Sequence, residues 1–266
     1  MKRQMLYHVL CLTIIFAVAV IYVFKTGGPG VITFAGDSFL IALCAIASIM
    51  LYMTVRSFKS WDNAKITWSM ILTGTITYGI AEAVYFYLEV IQKLDMDANF
   101  PSSADFFYCL AYFFFLAGLL IMITGYLKSG LPMKNWKIYL FVITFIFVLI
   151  AALMYVALLK PIALDDKLGS LEKFVYFFYP IGDLAIILPS LIMIYITYLF
   201  GKGVFSKPWR AIALGFIIMA IADMAFSYLD WQGLYKTGNL IDLLWGVSYW
   251  LLGLSGIYQK EIMDSI

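Results

Sequence analysis

Two carboxylates in this sequence lie where a carboxylate is costly. Glu82 falls within "ITYGIAEAVYFYLE" and Asp223 within "IIMAIADMAFSYLD", each with apolar and aromatic neighbours on both sides. An acid deep in a membrane helix costs at least a few kcal/mol, and it usually faces a bundle interior or a water-filled cavity. We therefore expect Glu82 and Asp223 to bind protons or a ligand. The alternative is a neutral acid that joins two helices through a hydrogen bond.

Four further acids belong to the candidate ligand- or proton-binding set. Asp37 and Asp183 each follow a glycine and begin an apolar run. Asp105 and Asp242 lie three residues after a Ser and an Asn, which is the spacing of a capping box. We expect Asp105 and Asp242 chiefly to cap helix N-termini, whereas capping and binding are both open for Asp37 and Asp183.

Tyrosines near these acids complete the candidate site: Tyr87, Tyr112, Tyr228 and Tyr249. Tyr and Trp favour the membrane–water interface, so an aromatic belt explains many such rings. In the alternative interpretation the rings wall a pocket. Carboxylates and ring faces together would suit a small cationic or lipid-like ligand there.

The composition indicates which elements position these side chains. The 266-residue chain is 64% hydrophobic and 13% charged, whereas soluble domains contain about 25% charged residues. A spanning helix needs roughly 20 apolar residues. Eight such stretches predict an all-α integral membrane protein, since the alternation typical of barrel strands is missing. They cover approximately residues 5–24, 37–55, 67–91, 104–127, 137–159, 174–200, 208–229 and 241–259.

The second half of the sequence repeats the first. Residues 68–90 match residues 209–231 at eight of 23 positions, and the match aligns Glu82 with Asp223 and Trp68 with Trp209. The same ungapped match pairs Gly74 with Gly215, and with small gaps it extends to Asp37 with Asp183, Asp105 with Asp242, and Tyr112 with Tyr249. Internal repeats of this kind decide the architecture of the whole protein.

We therefore predict two tandem four-helix repeats, residues 1–130 and 131–266. Four helices per repeat give both repeats the same orientation, so a pseudo-twofold axis along the membrane normal relates them. The predicted inner segments hold 12 Lys and Arg and the outer loops hold 6, which predicts a cell-membrane protein with both termini cytoplasmic. In this topology all six acids lie toward the outer half of the membrane.

Other residue types argue against several classes of function. His8 is the only histidine, and the three cysteines fall within predicted helices, so the sequence argues against a multi-histidine metal site, a bis-histidine haem and a Ser-His protease. The net charge of +2 reflects topology and indicates no nucleic-acid partner. We expect no metal, no cofactor and no catalytic residue.

The order of motifs along the chain resembles a known membrane region. The stretches "PSSADFFYCLAYFFFLAGL", "YPIGDLAIILPSL" and "IADMAFSYLD...GNLIDLLWGVSYWLLGLSGI" resemble the multi-helix region N-terminal to some bacterial diguanylate cyclases and phosphodiesterases. The resemblance covers roughly residues 100–260, and Asp105, Asp183, Asp223 and Asp242 carry it with their aromatic neighbours. It implies a sensor. Because no output domain follows in this sequence, we expect any signal to pass to a separate cytoplasmic partner.

Three functions fit these observations. The favoured one is a multi-pass membrane sensor or ligand-binding module with an outward-facing acidic and aromatic pocket. The second is a small proton- or cation-coupled secondary transporter, because repeats with acids at their interface suit alternating access. The third is an intramembrane lipid hydrolase in which paired carboxylates act as general acid and base.

Overall fold

The computed structural model describes residues 2–96, 98–130, 133–199, 201 and 203–265, and it is helical without a strand over this part of the chain. The long helices within it are α1 (Lys2–Phe24), α2 (Pro29–Ser57), α3 (Asn63–Phe86), α4 (Ser103–Lys128), α5 (Trp136–Ala163), α6 (Ser170–Leu199), α7 (Ser206–Trp231) and α8 (Asp242–Ser265). A π turn extends α3 at Tyr87–Ile91, and another interrupts α5 at Tyr155–Leu159. Over the described residues, each predicted apolar stretch overlaps one of these helices, and Phe200 at the end of the sixth stretch lies outside them.

Within the described residues, six helices are long and apolar enough to cross a membrane: α1, α2, α4, α5, α6 and α7. The chain is therefore an all-α protein with helices suited to cross a membrane several times. The orientation of its termini stays a prediction. Lys202, one of the cations behind that prediction, lies outside the described residues, as do Met1, Leu131 and Ile266 at the predicted repeat boundaries.

The helix α3 falls short of that apolarity because it is rich in hydroxyl groups. Thr73, Thr75 and Thr77 donate to the carbonyls four residues back at 2.9, 2.8 and 2.8 Å. Such bonds satisfy the hydroxyl within its own helix. The threonine hydroxyls of α3 thus bond within their own helix. The carboxyl group of Glu82 remains to interact with other helices.

The helices form a closed ring. In the order α2, α3, α4, α6, α7 and α8, each packs on the next, and α8 packs back on α2. Outside the ring, α1 lies against α2 and α8, and α5 lies against α6. Large side chains fill the ring interior: the rings of Trp68 and Trp209 are 5.1 Å apart, and those of Phe115 and Phe216 are 4.7 Å apart.

Two of the predicted helix starts need correction. The helix α2 begins at Pro29, so Asp37 lies about two turns inside it and caps nothing. Proline suits a first helical position, because its missing N–H is not needed there. Likewise α6 begins at Ser170 and continues through Pro180, so Asp183 is also internal. The capping interpretation is wrong for both acids.

The other two acids do lie at helix starts. Asp105 forms a capping box in which it accepts a 2.6 Å bond from the N–H of Ser102, as predicted. Asp242 is the first residue of α8, and it accepts a 2.8 Å bond from the N–H of Gly238 in the preceding loop. Both carboxylates therefore hold the entry of a helix, and both remain near the interior.

Candidate functional site

A cavity of about 70 Å³ opens at one end of the ring, where the predicted acids converge. Its carboxyl side chains are Asp37, Glu82, Asp105, Asp223, Asp230 and Asp242. Its aromatic side chains include Tyr78, Tyr85, Tyr108, Tyr179, Tyr235, Phe226 and Trp245. Among the residues described, no Lys, Arg or His lines this cavity. A space of this size admits water, ions and small cations.

Glu82 lies on the wall of the cavity toward the end of α3. Its side chain is buried, and the hydroxyl of Tyr249 from α8 donates to Oε1 at 2.5 Å. Tyr108 of α4 is a second hydroxyl neighbour. The helices α3, α4 and α8 therefore all contribute to the surroundings of this acid.

Asp223 has a corresponding place on α7. The indole N–H of Trp245 donates to Oδ1 at 2.6 Å, and the hydroxyl of Tyr112 lies 2.9 Å from Oδ2. The hydroxyl of Tyr78 approaches the same oxygen at 3.4 Å. Both oxygens of Asp223 thus have hydrogen-bond donors, a supply that suits a charged carboxylate.

Asp183 lies below the cavity floor on α6 and is only 1% exposed. Its Oδ1 is 2.7 Å from the hydroxyl of Tyr112, and its Oδ2 has no hydrogen-bond partner in the described structure. The hydroxyl of Tyr112 consequently lies between two carboxyl groups, Asp183 on one side and Asp223 on the other.

The remaining acids line the cavity nearer its mouth. Asp105 accepts a bond from the hydroxyl of Tyr179 at 2.5 Å. Asp242 accepts bonds from the hydroxyls of Tyr22 at 3.2 Å and Tyr235 at 3.1 Å. Burial, and then the charge of Asp242, raise the pKa of Tyr235 well above its ordinary value, so this loop hydroxyl keeps its proton and donates. The buried Oδ2 of Asp37 has no partner in the part of the chain described.

A wider groove of about 600 Å³ lies beside the cavity and shares Tyr85, Met96, Tyr235 and Thr237 with it. The connections that follow α1, α3 and α7 build its walls. Lys25, Lys236 and Glu89 give it both signs of charge. The groove therefore adjoins the acidic cavity at this end of the bundle.

The structure separates the candidate residues into three groups. The cavity wall holds Asp37, Glu82, Asp105, Asp223 and Asp242, and the layer beneath it holds Asp183, Tyr112 and Tyr249. Tyr87 and Tyr228 are 51% and 44% exposed on the outside of the bundle and do not line the cavity.

Sequence reasoning missed several aromatic residues of the wall, and two of them could have been found. Tyr78 precedes Glu82 by four residues, and Tyr179 precedes Asp183 by four. Residues four apart share one face of a helix, so this spacing was the available signal.

Over the described residues, no group of three or more His, Cys, Asp or Glu side chains is placed to hold a metal ion. No family model matches the chain, and neither a curated protein nor a solved structure matches it. The chemistry of the cavity must therefore be argued from its own residues. Carboxyl groups with hydroxyl donors and aromatic neighbours have the chemistry to bind protons or cations.

Proposed function

We propose that this protein is a multi-pass membrane sensor or ligand-binding module that takes a small cation into the acidic cavity from the outer side. One observation carries the proposal: carboxyl groups and aromatic rings line the cavity, and no positive side chain lines it within the described residues. Carboxylates in a poorly solvated space attract a counter-charge strongly. A cation from solution is the natural source, because the lining supplies none.

The aromatic part of the wall favours an organic cation. The ring of Phe226 meets those of Tyr235 and Trp245 at 82° and 62°, with centroids 4.7 and 5.8 Å apart. Tyr235 and Trp245 meet at 80°. Rings at such angles form a corner, and this corner adjoins Asp223 and Asp242 through the bonds described above. An ammonium group in such a place gains from both the acid and the ring faces.

The proposed architecture is eight spanning helices in two tandem repeats. The ring order supports it, because α2, α3 and α4 are followed by their counterparts α6, α7 and α8. The matched residues Trp68 and Trp209 lie against each other, as expected beside a twofold axis. The acids support it too: Tyr249 of the second repeat bonds Glu82 of the first, and Tyr112 of the first bonds Asp223 of the second.

This exchange of tyrosines gives the proposed sensor a way to transmit binding. A cation beside Glu82 or Asp223 competes with the hydroxyl that the opposite repeat contributes. Binding then favours a different packing of the two repeats, provided that the cation prefers one packing. Tyr249 lies on α8, whose far end is the proposed cytoplasmic C-terminus, so a partner there would read the change.

The proposal is tested by thermal unfolding of the purified protein with sodium, potassium, ammonium, methylammonium and tetramethylammonium. A cation at 100 times its Kd stabilises the protein by about 2.7 kcal/mol, which is a clear rise in Tm. The double variant E82Q/D223N should lose the rise, and D166N, in an exposed loop, should keep it. If no cation raises Tm, or if E82Q/D223N responds as the native protein does, the proposal is wrong.

A second candidate function is cation-coupled transport. The exchange of tyrosines favours it, because both acids lie where the proposed repeats would move against each other. Reconstituted vesicles distinguish the two functions. Uptake of labelled methylammonium that E82Q abolishes would support transport, whereas binding without uptake supports the sensor.

A further inference from the structure

The hydroxyl of Tyr112 lies within hydrogen-bond distance of two acids, Asp183 and Asp223, and this limits where protons can be. The Tyr112 hydroxyl lies 2.7 Å from Oδ1 of Asp183 and 2.9 Å from Oδ2 of Asp223. A hydroxyl carries one hydrogen, so it donates to one of these acids only. The second contact is a hydrogen bond only if the other acid is protonated and donates to the phenol oxygen.

The surroundings indicate which acid holds the hydrogen. Asp223 also receives the indole N–H of Trp245 at 2.6 Å, whereas Oδ2 of Asp183 has no partner in the described structure. The better-supplied acid is the better place for a negative charge. The consistent arrangement therefore runs from the O–H of Asp183 to Tyr112, and from the O–H of Tyr112 to the Asp223 carboxylate.

The described side chains that face Asp183 and Asp223 supply no positive charge to balance two carboxylates. From α3 these are Tyr78 and Glu82, and from α4 the central Tyr112. From α8 the neighbour is Trp245, which does not ionise in this range. On α6 itself, Tyr179 lies near Tyr112 with ring centroids 6.3 Å apart. Two buried carboxylates without a counter-cation are strongly unfavourable, so the pair retains a proton.

Among the described contacts, the matching residues Asp37, Tyr249 and Glu82 do not form this arrangement. Asp37 aligns with Asp183, and Tyr249 aligns with Tyr112. Tyr249 bonds Glu82, and no bond joins it to Asp37 among the described contacts. Asp37 instead lines the cavity. The shared position of the tyrosine hydroxyl is thus found at Tyr112 and not at Tyr249 among the described contacts.

We propose that Asp183 and Asp223 hold one proton in common through Tyr112, and that a cation entering the cavity beside Asp223 exchanges for it. In the exchange the Tyr112 hydrogen passes to Asp223, the Asp183 hydrogen passes to Tyr112, and the Asp223 hydrogen leaves to water in the cavity. Before exchange the pair carries one negative charge. Afterwards two carboxylates and one monovalent cation carry the same net charge. The exchange rests on the proposed function, whereas the held proton does not.

Calorimetry with methylammonium in two buffers of different ionisation enthalpy counts the protons released per cation bound. The native protein should release about one proton, because the pair gives up the one it holds. D183N and Y112F should bind with little release, and D166N, in an exposed loop, should release as the native protein does. Binding without release in the native protein, or unchanged release from D183N, would overturn the exchange while leaving cation binding intact.

Infrared spectroscopy tests the held proton whether or not a cation binds. The native protein at neutral pH should show a protonated carboxyl band that shifts in deuterium oxide and is lost in D183N. A native spectrum unchanged by D183N would overturn the shared proton. Thermal unfolding of D183N and Y112F confirms that each variant is folded before either measurement is interpreted.

Discussion

Glu82 and Asp223 hold matching places in the two halves of the molecule, yet they differ in what lies beneath them. Each receives a tyrosine from the opposite half, Tyr249 and Tyr112 respectively. Beneath Asp223, Tyr112 also reaches Asp183, whereas Tyr249 serves Glu82 alone among the described contacts. The described contacts thus join Tyr249 to one acid and Tyr112 to two. Under the proposed relay, the two halves would share a frame and differ in proton chemistry.

The largest expected difference in stability is between alanine substitutions of the matched glycines Gly74 and Gly215. A Cβ on Gly74 would lie 2.5 Å from the ring of Phe115, which is fully buried against Phe216. The nearest atoms to a Cβ on Gly215 are at 3.4 Å. G74A should therefore cost about 1–3 kcal/mol through overpacking. G215A should be neutral, or stabilising by about 0.4–1 kcal/mol through the lower entropy of the unfolded chain.

Unfolding in mixed detergent micelles measures both glycine variants side by side. Equal losses from G74A and G215A would show that the two halves pack more alike at this level than the distances indicate. A stabilised G74A would contradict the close packing of α3 against α4.

The next effect compares the two tyrosines. Y112F removes the hydroxyl that two buried acids share, and it should lower the free energy of unfolding by about 1–3 kcal/mol. Y249F removes a donor from Glu82 alone, which keeps Tyr108 as a neighbour, so its loss should be smaller. The same unfolding assay ranks the two variants, and the reverse ranking would argue against a shared role for Tyr112.

A third comparison separates the acids by their part in cation binding. D223N removes the proposed charged member of the relay and should weaken methylammonium binding by about tenfold, which corresponds to about 1.4 kcal/mol. E82Q should weaken it less, because the Asp223 charge remains. Titration calorimetry measures the Kd of methylammonium for both variants. If E82Q has the larger effect, the cation lies on the Glu82 side and the relay is not its site.

The smallest effect concerns a bond at the loop end of the second half. The indole N–H of Trp231 donates to Asp165 at 3.0 Å, and this bond, followed by the Lys167 N–H, lowers the pKa of Asp165. Because folding lowers the pKa of Asp165, the charged carboxylate stabilises the protein at pH values above its ordinary pKa. This stabilisation is lost as the pH falls through the lowered pKa. W231F should therefore reduce Tm slightly at neutral pH and not at all in strong acid. An equal reduction at every pH would mean that the ring, rather than its N–H, matters.

Much of this arrangement could be predicted from the sequence, because hydropathy and internal repetition report on local composition. Every predicted apolar stretch overlaps a helix, and Glu82 and Asp223 both face one cavity. The predicted start of α2 at residue 37 is too late, because the helix begins at Pro29, where a proline suits the first helical turn. The late start is the reason that capping stayed open for Asp37.

Other features depend on how helices rotate and which helix follows which around the ring. The hydrogen bonds of Tyr112 and Tyr249 join residues far apart in the chain, and no spacing along the sequence encodes them. The exposed positions of Tyr87 and Tyr228 follow from the same rotations. Tyr78 and Tyr179 are different, because their four-residue offset from an acid was visible and predicts a shared face.

The most direct test of cation binding is an experimental structure of the protein with caesium, whose anomalous scattering identifies it. The account predicts a caesium peak in the cavity between Glu82 and Asp223 that is lost in E82Q/D223N. A cavity filled by an acyl chain, or one without caesium at saturating concentration, would contradict the account.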